Sequence, residues 1–147
     1  MAQLTLSPVQ VTVFIKRKPG MSEEEFHKYW TEVHAPLVEE WLAKHGGLRY
    51  VQHHTPSWLR QQVSAAWAEL GASPNMADYD GIGEVTVRNI QDLKTALEDL
   101  YYRDRVVPDQ LAFMDTNSTI LSAGWAEVKV DNGSVIRTTL QTRGFWV

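Results

Sequence analysis

The chain has 147 residues, 44% of them hydrophobic and 22% charged, and its formal net charge is −4. This length is most simply one folded domain with its own core, so we predict a single domain over 1–147. The acidic balance argues against a nucleic-acid surface, and the absence of cysteine excludes a disulfide framework, a thiol nucleophile and a cysteine-based zinc site. Neither a membrane span nor a secretory leader is recognisable, so we expect a cytoplasmic protein without membrane partners.

The first half of the chain begins as a strand followed by a helix. Residues 11–16, VTVFIK, are rich in β-branched and aromatic side chains and predict a strand, which ends at the turn signal Pro19-Gly20. Ser22, with Glu25 three residues later, is a capping box that begins the helix. Large apolar residues then recur at offsets of 4, 3, 4 and 4, which predicts that they share one face of this helix: Phe26, Trp30, Val33, Leu37 and Trp41.

Pro36 interrupts this helical pattern. Proline has no amide hydrogen and its ring clashes with the preceding turn, so we expect a bend or break near residues 32–36. Residues 48–54, LRYVQHH, then predict a second strand. Residues 57–71 predict a helical insertion, and a loop joins it to the next strand.

The second half of the chain repeats the order of the first. Its elements are predicted as a strand over 81–87, a helix over 89–100, a broken or second helix over 101–115 and a strand over 118–130. Asp131-Asn132-Gly133 is a strong hairpin signal, and a fifth strand is predicted over 134–140.

Two βαβ halves predict a ferredoxin-like α+β sandwich, with a helical insertion and a C-terminal hairpin. Helices would cover one face of such a sheet and leave the other face exposed. An exposed apolar sheet face favours association, so we expect a homodimer.

Three stretches resemble the EthD-domain family. They are FIKRKPGMSEEEFHKYWTEVHAPLV at 14–38, YDGIGEVTV at 79–87 and AFMDTNSTILSAGWAEV at 112–128. The chain is most similar to small fungal members that tailor aromatic polyketides, of the atrochrysone carboxylic acid decarboxylase and naphthopyrone dehydratase types. The resemblance implies a dimeric α+β barrel and catalysis without a cofactor. It does not choose between loss of carbon dioxide and loss of water.

His34 is the first candidate catalytic residue. Its imidazole stands beside the apolar stripe, two residues before Pro36. Histidine can deliver a proton near neutral pH, and a bend at Pro36 would open room for a cavity. The structural alternative is that His34 satisfies a backbone group freed by the proline.

The second strand and its neighbours supply further candidates. Alternation places Tyr50, Gln52 and His54 on one face, and we predict Tyr50 as a substrate-binding residue and His54 as a catalytic one. Asp80 is predicted to orient a histidine or act as a base, although Asp before Gly is also ordinary turn chemistry.

Three more residues are predicted to bind the substrate: Lys16 through its charge, and Trp30 and Phe113 through their rings. Solvated surface for Lys16 and core packing for the two rings are the alternatives. We predict no metal site, because adjacent His53 and His54 point to opposite faces of a strand. The glycines of GIGEV lie inside a strand and do not form a dinucleotide motif.

The combined prediction is a cofactor-independent lyase acting on a fused-ring aromatic polyketide, with decarboxylation of an atrochrysone-type carboxylic acid ahead of dehydration of a polyketide ring. In a dehydratase, His54 would remove a proton and His34 would assist the departing hydroxide. A cofactor-free cyclase or oxygenase and a non-catalytic carrier of a hydrophobic metabolite remain alternatives.

Overall fold

The computed structural model describes residues 8–137 and shows a four-stranded antiparallel sheet with helices on one face. Its strands, β1 (Val9–Ile15), β2 (Arg49–His54), β3 (Gly81–Val87) and β4 (Ile120–Gly124), lie in the order β2-β3-β1-β4. Every neighbouring pair is antiparallel, which is the arrangement of two interleaved βαβ units. The predicted ferredoxin-like α+β fold is confirmed, with an open sheet in the single chain.

Five α-helices and two π-helical turns connect the strands within the described part of the chain. The α-helices are α1 (Glu23–Tyr29), α2 (Ala35–Lys44), α3 (Ser57–Glu69), α4 (Ile90–Leu97) and α5 (Val107–Phe113). The first π-turn (Trp30–His34) joins α1 to α2, and the second π-turn (Tyr102–Val106) precedes α5. A one-turn 3₁₀ helix (Thr116–Ser118) leads into β4.

Side-chain caps explain where two of these helices begin. The Glu25 N–H donates to Ser22 Oγ at 3.1 Å and the Ser22 N–H donates to Glu25 Oε2 at 2.9 Å, so the predicted capping box is present. At α4, the Asp92 N–H donates to Asn89 Oδ1 at 2.8 Å. The helix predicted over 89–100 ends three residues early, at Leu97.

The C-terminal part of the prediction needs a correction. The long strand predicted over 118–130 is split, because β4 ends at Gly124 and lies at the sheet edge with β1 as its single neighbour. The strands β5 (Val130–Asp131) and β6 (Ser134–Val135) form a separate hairpin. Asn132 and Gly133 make its turn at φ values of 46° and 78°, the positive angles that a two-residue hairpin loop requires. Only Ser134–Val135 of the predicted fifth strand is extended, and 138–140 lie outside the described residues.

The core consists of two clusters between the helices and the sheet. The first contains Ile15, Phe26, Trp30, Phe113 and Met114, and the second contains Val38, Trp41, Leu42, Ala96 and Val106. Fully burying a large apolar side chain contributes roughly 2–3 kcal/mol, so the aromatic residues of the first cluster dominate its stabilisation.

The predicted insertion is the helix α3, which contains no buried residue. Arg60 ties it to the domain through Asp78 at 3.3 Å and Glu23 at 3.7 Å. Its apolar side chains point outward, with Trp58 and Trp67 58% and 49% exposed. Across residues 8–137, no helix has the length and apolarity needed to cross a lipid bilayer.

Candidate active site

A cavity of about 230 Å³ lies between the helices and the covered face of the sheet. Valines from β1 and β3 form its floor, and side chains from α2, α4 and the second π-turn form its roof. Leu97 and Leu121 are 45% and 69% exposed at its rim, so the cavity opens to solvent beside the edge strand β4. Four side chains bring imidazole, hydroxyl or amide groups to this apolar space: His34, Tyr50, Tyr102 and Gln110.

The first π-turn directs His34 into the cavity. Pro36 has no amide hydrogen to continue the α-helical pattern, and the Ala35 N–H donates to the Trp30 carbonyl five residues back. The bend expected near residues 32–36 is therefore a π-turn. The added residue moves the buried face onto Trp30, His34 and Val38.

The predicted apolar stripe is wrong at Val33 and Leu37 for the same reason, whereas Phe26, Trp30 and Trp41 are buried as predicted. Val33 is 44% exposed and Leu37 is only partly buried, whereas the regular spacing had placed both in the core. A π-turn uses more residues per turn than an α-helix, so every later side chain is rotated about the helix axis.

Asp109 on α5 holds one nitrogen of His34. His34 Nδ1 lies 2.8 Å from Asp109 Oδ2, and the Tyr29 hydroxyl donates to Asp109 Oδ1 at 2.5 Å. A carboxylate can only accept, so the proton of neutral His34 is on Nδ1. His34 Nε2 has no hydrogen-bond partner among residues 8–137, and it belongs to a ring that lines the cavity.

Burial is the main influence on the pKa values of His34 and Tyr29. Burial lowers the pKa of His34, while the hydrogen bond and negative charge of Asp109 oppose part of that decrease. Burial and Asp109 together raise the pKa of Tyr29 to about 12, so its hydroxyl remains a donor at neutral pH. The arrangement therefore presents a basic Nε2 atom to an apolar cavity, and that atom can accept or return one proton.

The sheet wall of the cavity carries Tyr50. Gln52 Nε2 donates to the Tyr50 hydroxyl at 3.0 Å and to the Trp30 carbonyl at 2.9 Å. Burial raises the pKa of Tyr50, and hydrogen bonding from the side chains of Gln52 and Trp30 opposes the increase. Tyr50 thus stays protonated at neutral pH.

The helix wall is flat and aromatic. The Tyr102 ring stacks on Trp41 with centroids 4.6 Å apart and an interplanar angle of 27°. Burial raises the pKa of Tyr102, against a hydrogen bond from the Gln110 side chain.

The structure does not bring His54 to the cavity. Its ring packs against Trp30 with centroids 4.7 Å apart, and its Nδ1 lies 2.7 Å from His27 Nδ1. The ring of His54 is absent from the cavity wall, so a two-histidine dehydratase with His34 is not the observed arrangement. In the described part of the chain, no three histidine or carboxylate side chains converge as a metal site requires.

Asp80 and Lys16 also lie elsewhere. Asp80 is buried and accepts from the Arg17 backbone N–H at 2.8 Å and from its guanidinium at 2.6 Å, so it anchors β1 to β3 and orients neither His34 nor His54. Lys16 contacts Asp78 at 3.2 Å and faces a separate, open, polar groove. Neither side chain reaches the cavity.

The two predicted aromatic residues have different positions. Trp30 is 1% exposed and lines the cavity, with its ring against Gly81 of β3. Phe113 is fully buried beneath the site, where its ring lies 4.7 Å from His34 and 5.3 Å from Tyr29. Phe113 therefore supports His34 from the core and does not face the cavity.

Asp109 was missed in the sequence, although an internal repeat could have indicated it. Both halves contain a tyrosine followed seven residues later by a proline, Tyr29 to Pro36 and Tyr101 to Pro108. Each proline follows a π-turn. Comparing the two repeats would have shown that Asp109 lies on α5, the counterpart in the second half of the helix α2 that follows His34.

Comparison with known proteins agrees with this architecture. The EthD domain model matches residues 18–117. "Decarboxylase claH" of Passalora fulva is 34% identical over 126 residues, which cover 86% of this chain and 80% of that protein. "Conidial pigment biosynthesis dehydratase EthD" of Metarhizium robertsii is 31% identical over 126 residues, covering 86% of this chain and 87% of that protein.

Two solved structures share the fold. An EthD family protein from Bacillus halodurans has a TM-score of 0.56 at 14% identity, covering 82% of this chain and 99% of that one. An EthD-like protein from Ralstonia eutropha has a TM-score of 0.54 at 15% identity, covering 80% and 90%. Given the family match and the relatives above 30% identity, the chain belongs to the EthD domain family.

Proposed function

We propose that the cavity decarboxylates a fused-ring aromatic polyketide acid of the atrochrysone carboxylic acid type, without a cofactor. One observation carries the proposal. Asp109 holds Nδ1 of a buried histidine, so His34 presents Nε2 to an apolar cavity with a flat aromatic wall. Relatives named decarboxylases and dehydratases support a lyase that tailors such compounds.

The apolar lining supplies the driving force for loss of the carboxylate. An apolar cavity removes water from the charged carboxylate and so raises its free energy. Neutral carbon dioxide loses little stabilisation when it leaves water, so its release is favoured. The C–C bond breaks, and its electron pair remains on the ring carbon and delocalises into a neighbouring carbonyl. Protonated His34 then transfers its Nε2 proton to that carbon, forming the C–H bond, and regains a proton from solvent.

The cavity size is consistent with a ligand that is only partly enclosed. Small-molecule pockets usually measure about 300–1,000 Å³. At about 230 Å³, this one would hold part of a fused-ring system, and the remainder would extend past Leu97 and Leu121 at the open rim.

Dehydration is the second candidate, favoured by the lowered pKa of His34. A neutral imidazole can remove an acidic proton next to a carbonyl, and aromatisation then drives loss of hydroxide. In this cavity His34 would have to act both as base and as acid, since His54 lies outside it.

The test is to incubate the purified protein with an atrochrysone-type carboxylic acid and to follow the product mass against a no-protein control. We expect accelerated loss of carbon dioxide. Loss of water with the carboxyl group retained would establish dehydration instead, and oxygen consumption would indicate an oxygenase. Tight binding without acceleration would favour a carrier.

We also propose that the protein is a homodimer formed through the open face of the sheet. Apolar side chains there include Phe14 and Ile82, which are cross-strand partners, and Ile120, which is 51% exposed. Packing two such faces together would remove this apolar surface from water and produce the α+β barrel that the sequence resemblance implies.

A further inference from the structure

The hydroxyl hydrogen of Tyr50 has no acceptor among residues 8–137. Gln52 Nε2 donates to the Tyr50 oxygen at 3.0 Å, so that oxygen is an acceptor in the contact. None of the hydrogen bonds formed among residues 8–137 has the Tyr50 hydroxyl as donor. The Tyr50 side chain lines the cavity, so a molecule bound there is the candidate acceptor for this hydrogen.

A second hydrogen bond of Gln52 shows that Gln52 is the donor in its contact with the Tyr50 hydroxyl. The same Nε2 atom lies 2.9 Å from the Trp30 carbonyl oxygen, which can only accept. Thr31 Oγ1 lies 3.4 Å from Gln52 Oε1 on the other side of the amide. The amide nitrogen therefore faces Tyr50, and the Tyr50 hydroxyl cannot turn its hydrogen toward Gln52.

We propose that Tyr50 is a catalytic hydrogen-bond donor to the substrate oxygen that becomes negatively charged when the carboxylate leaves, and that Gln52 is its positioning residue. This inference rests on the proposed lyase function. The substrate class is narrowed to acids with a ring carbonyl or phenol oxygen adjacent to the carboxyl-bearing carbon. That oxygen contacts Tyr50 while the carbon faces His34.

Gln52 also connects this donor to the helix that carries His34. Its bond to the Trp30 carbonyl joins β2 to the first residue of the first π-turn, and His34 is the last residue of that turn. One side chain thereby joins the donor on the sheet wall to the π-turn that carries His34. Preorganised donors of this kind act at the atom where charge develops.

The first experiment compares Tyr50→Phe, Gln52→Met and the double variant by steady-state kinetics. Removing one oxyanion donor typically lowers kcat about 100-fold or more, and we expect this for Y50F with little change in KM. Q52M should lower kcat about 10-fold, and its loss should be smaller in the Y50F background, because part of the effect of Gln52 acts through Tyr50. Equal losses from Q52M in both backgrounds would overturn its positioning role.

Tyr101→Phe is the matched control. The Tyr101 hydroxyl donates to Glu40 at 3.2 Å on the surface and does not line the cavity, so Y101F should retain wild-type kcat. Circular dichroism and thermal unfolding of each variant show whether it is folded. A wild-type kcat in folded Y50F would overturn the inference.

A binding experiment tests the hydrogen bond without turnover. The probe is 4-nitro-1-naphthol, a fused-ring phenol whose phenolate absorbs visible light. If Tyr50 donates to the phenolate oxygen, the bound probe should have a pKa about one unit or more lower in the wild type than in Y50F. Identical values, or no binding to the wild type, would overturn the inference.

The two failures can be told apart. If the pKa of the bound probe differs between the wild type and Y50F but the protein releases neither carbon dioxide nor water, Tyr50 is a hydrogen-bond donor and the proposed reaction is wrong. If the protein turns the substrate over and Y50F matches the wild type in both kinetics and probe pKa, the reaction is supported and the role of Tyr50 is wrong.

Discussion

Asp109 and His34 belong to the two repeated halves of the chain and meet with Oδ2 2.8 Å from Nδ1. Each half contains a π-turn followed by a helix with proline at its second residue. The first π-turn moves His34 from the flank of the helix to its buried face, and α5 brings Asp109 alongside. The π-turn therefore both interrupts the regular helix and places His34 where Asp109 can bond to it. π-turns occur frequently at functional sites.

Asp109→Asn should strongly reduce turnover. Asparagine lacks the negative charge that favours the protonated, proton-donating form of His34, and its NH₂ group can pair with Nδ1, which leaves the neutral ring with its proton on Nε2. In a serine protease the corresponding change costs about 10⁴-fold in kcat, and we expect at least about 100-fold here. Asp109 also opposes the decrease in the pKa of His34, so the pH–rate profile should move to lower pH.

Asp104→Asn is the control for that substitution. Asp104 pairs with Arg103 on the surface at 2.8 Å and makes no bond to His34. Its kcat and pH profile should match the wild type. If D109N had the same rate and profile as D104N, the assigned role of Asp109 would be wrong.

His34→Gln removes the titrating group while preserving a polar side chain. General acid–base catalysis contributes about 10² to 10⁴-fold, and kcat should fall by that amount while KM changes little. The control is His45→Gln, because the His45 ring bonds Asp99 at 2.7 Å and does not line the cavity, so this variant should retain wild-type kcat. Retention of wild-type kcat by H34Q would exclude His34 as the proton donor, whatever the reaction.

The strands and the first helix could be predicted because their signals are local. Alternation over 48–54 places Tyr50 and Gln52 on the covered face, and the capping box at Ser22 marks the start of α1. Asn132-Gly133 specifies a hairpin turn from two residues alone. In each case the deciding interactions lie within a few residues of one another.

The site could be predicted only in part because its deciding contacts are distant in sequence. Pro36 predicts a bend, but the spacing from Phe26 to Trp41 fits a regular α-helix and does not show that the bend is a π-turn. Asp109 is 75 positions from His34, and Asp80 is 63 from the Arg17 backbone that it accepts from. The residues around Asp80 in the sequence give no sign of this distant partner.

Gly81→Ala should distort the cavity through Trp30. A Cβ atom at position 81 would lie 2.4 Å from Trp30 Cζ3, which is much closer than carbon atoms approach. Overpacking of this kind costs about 1–3 kcal/mol, and the displaced indole would also disturb the Trp30 carbonyl that Gln52 holds. We expect a lower melting temperature and a reduced kcat.

Gly124→Ala is the matched control, because nothing lies within 4 Å of the added carbon. Its melting temperature should stay within a few degrees of the wild type. Equal stability of the two alanine variants would show that Trp30 can move away from β3 without cost.

Ile82→Lys tests the homodimer. Ile82 lies on the open face beside Phe14 and His53, so a buried ammonium group there would disfavour contact between two sheets. The wild type should elute as a dimer in size-exclusion chromatography with light scattering, and I82K should elute as a monomer. Leu70→Lys, at an 85% exposed position after α3, should leave the mass unchanged. A monomeric wild type would refute the dimer.

Stability should decrease as pH falls below about 6.5. Burial is the largest cause that lowers the pKa values of His27, His34 and His54 from the ordinary histidine value of 6.5. Glu23 and Asp80 oppose the decrease at His27, and Asp109 opposes it at His34, whereas neighbouring histidines add to it at His54. Each folded-state pKa is depressed, so between that value and 6.5 the unfolded chain binds more protons than the folded one.

The free energy of unfolding must therefore rise with pH through this window and level off above it. Urea unfolding at intervals from pH 5 to pH 8 measures the slope. The slope should be shallower in H34Q, which removes one of the three groups. A wild-type free energy of unfolding that is flat or falls as pH rises from 5 to 6.5 would mean that the buried histidines are charged in the folded protein.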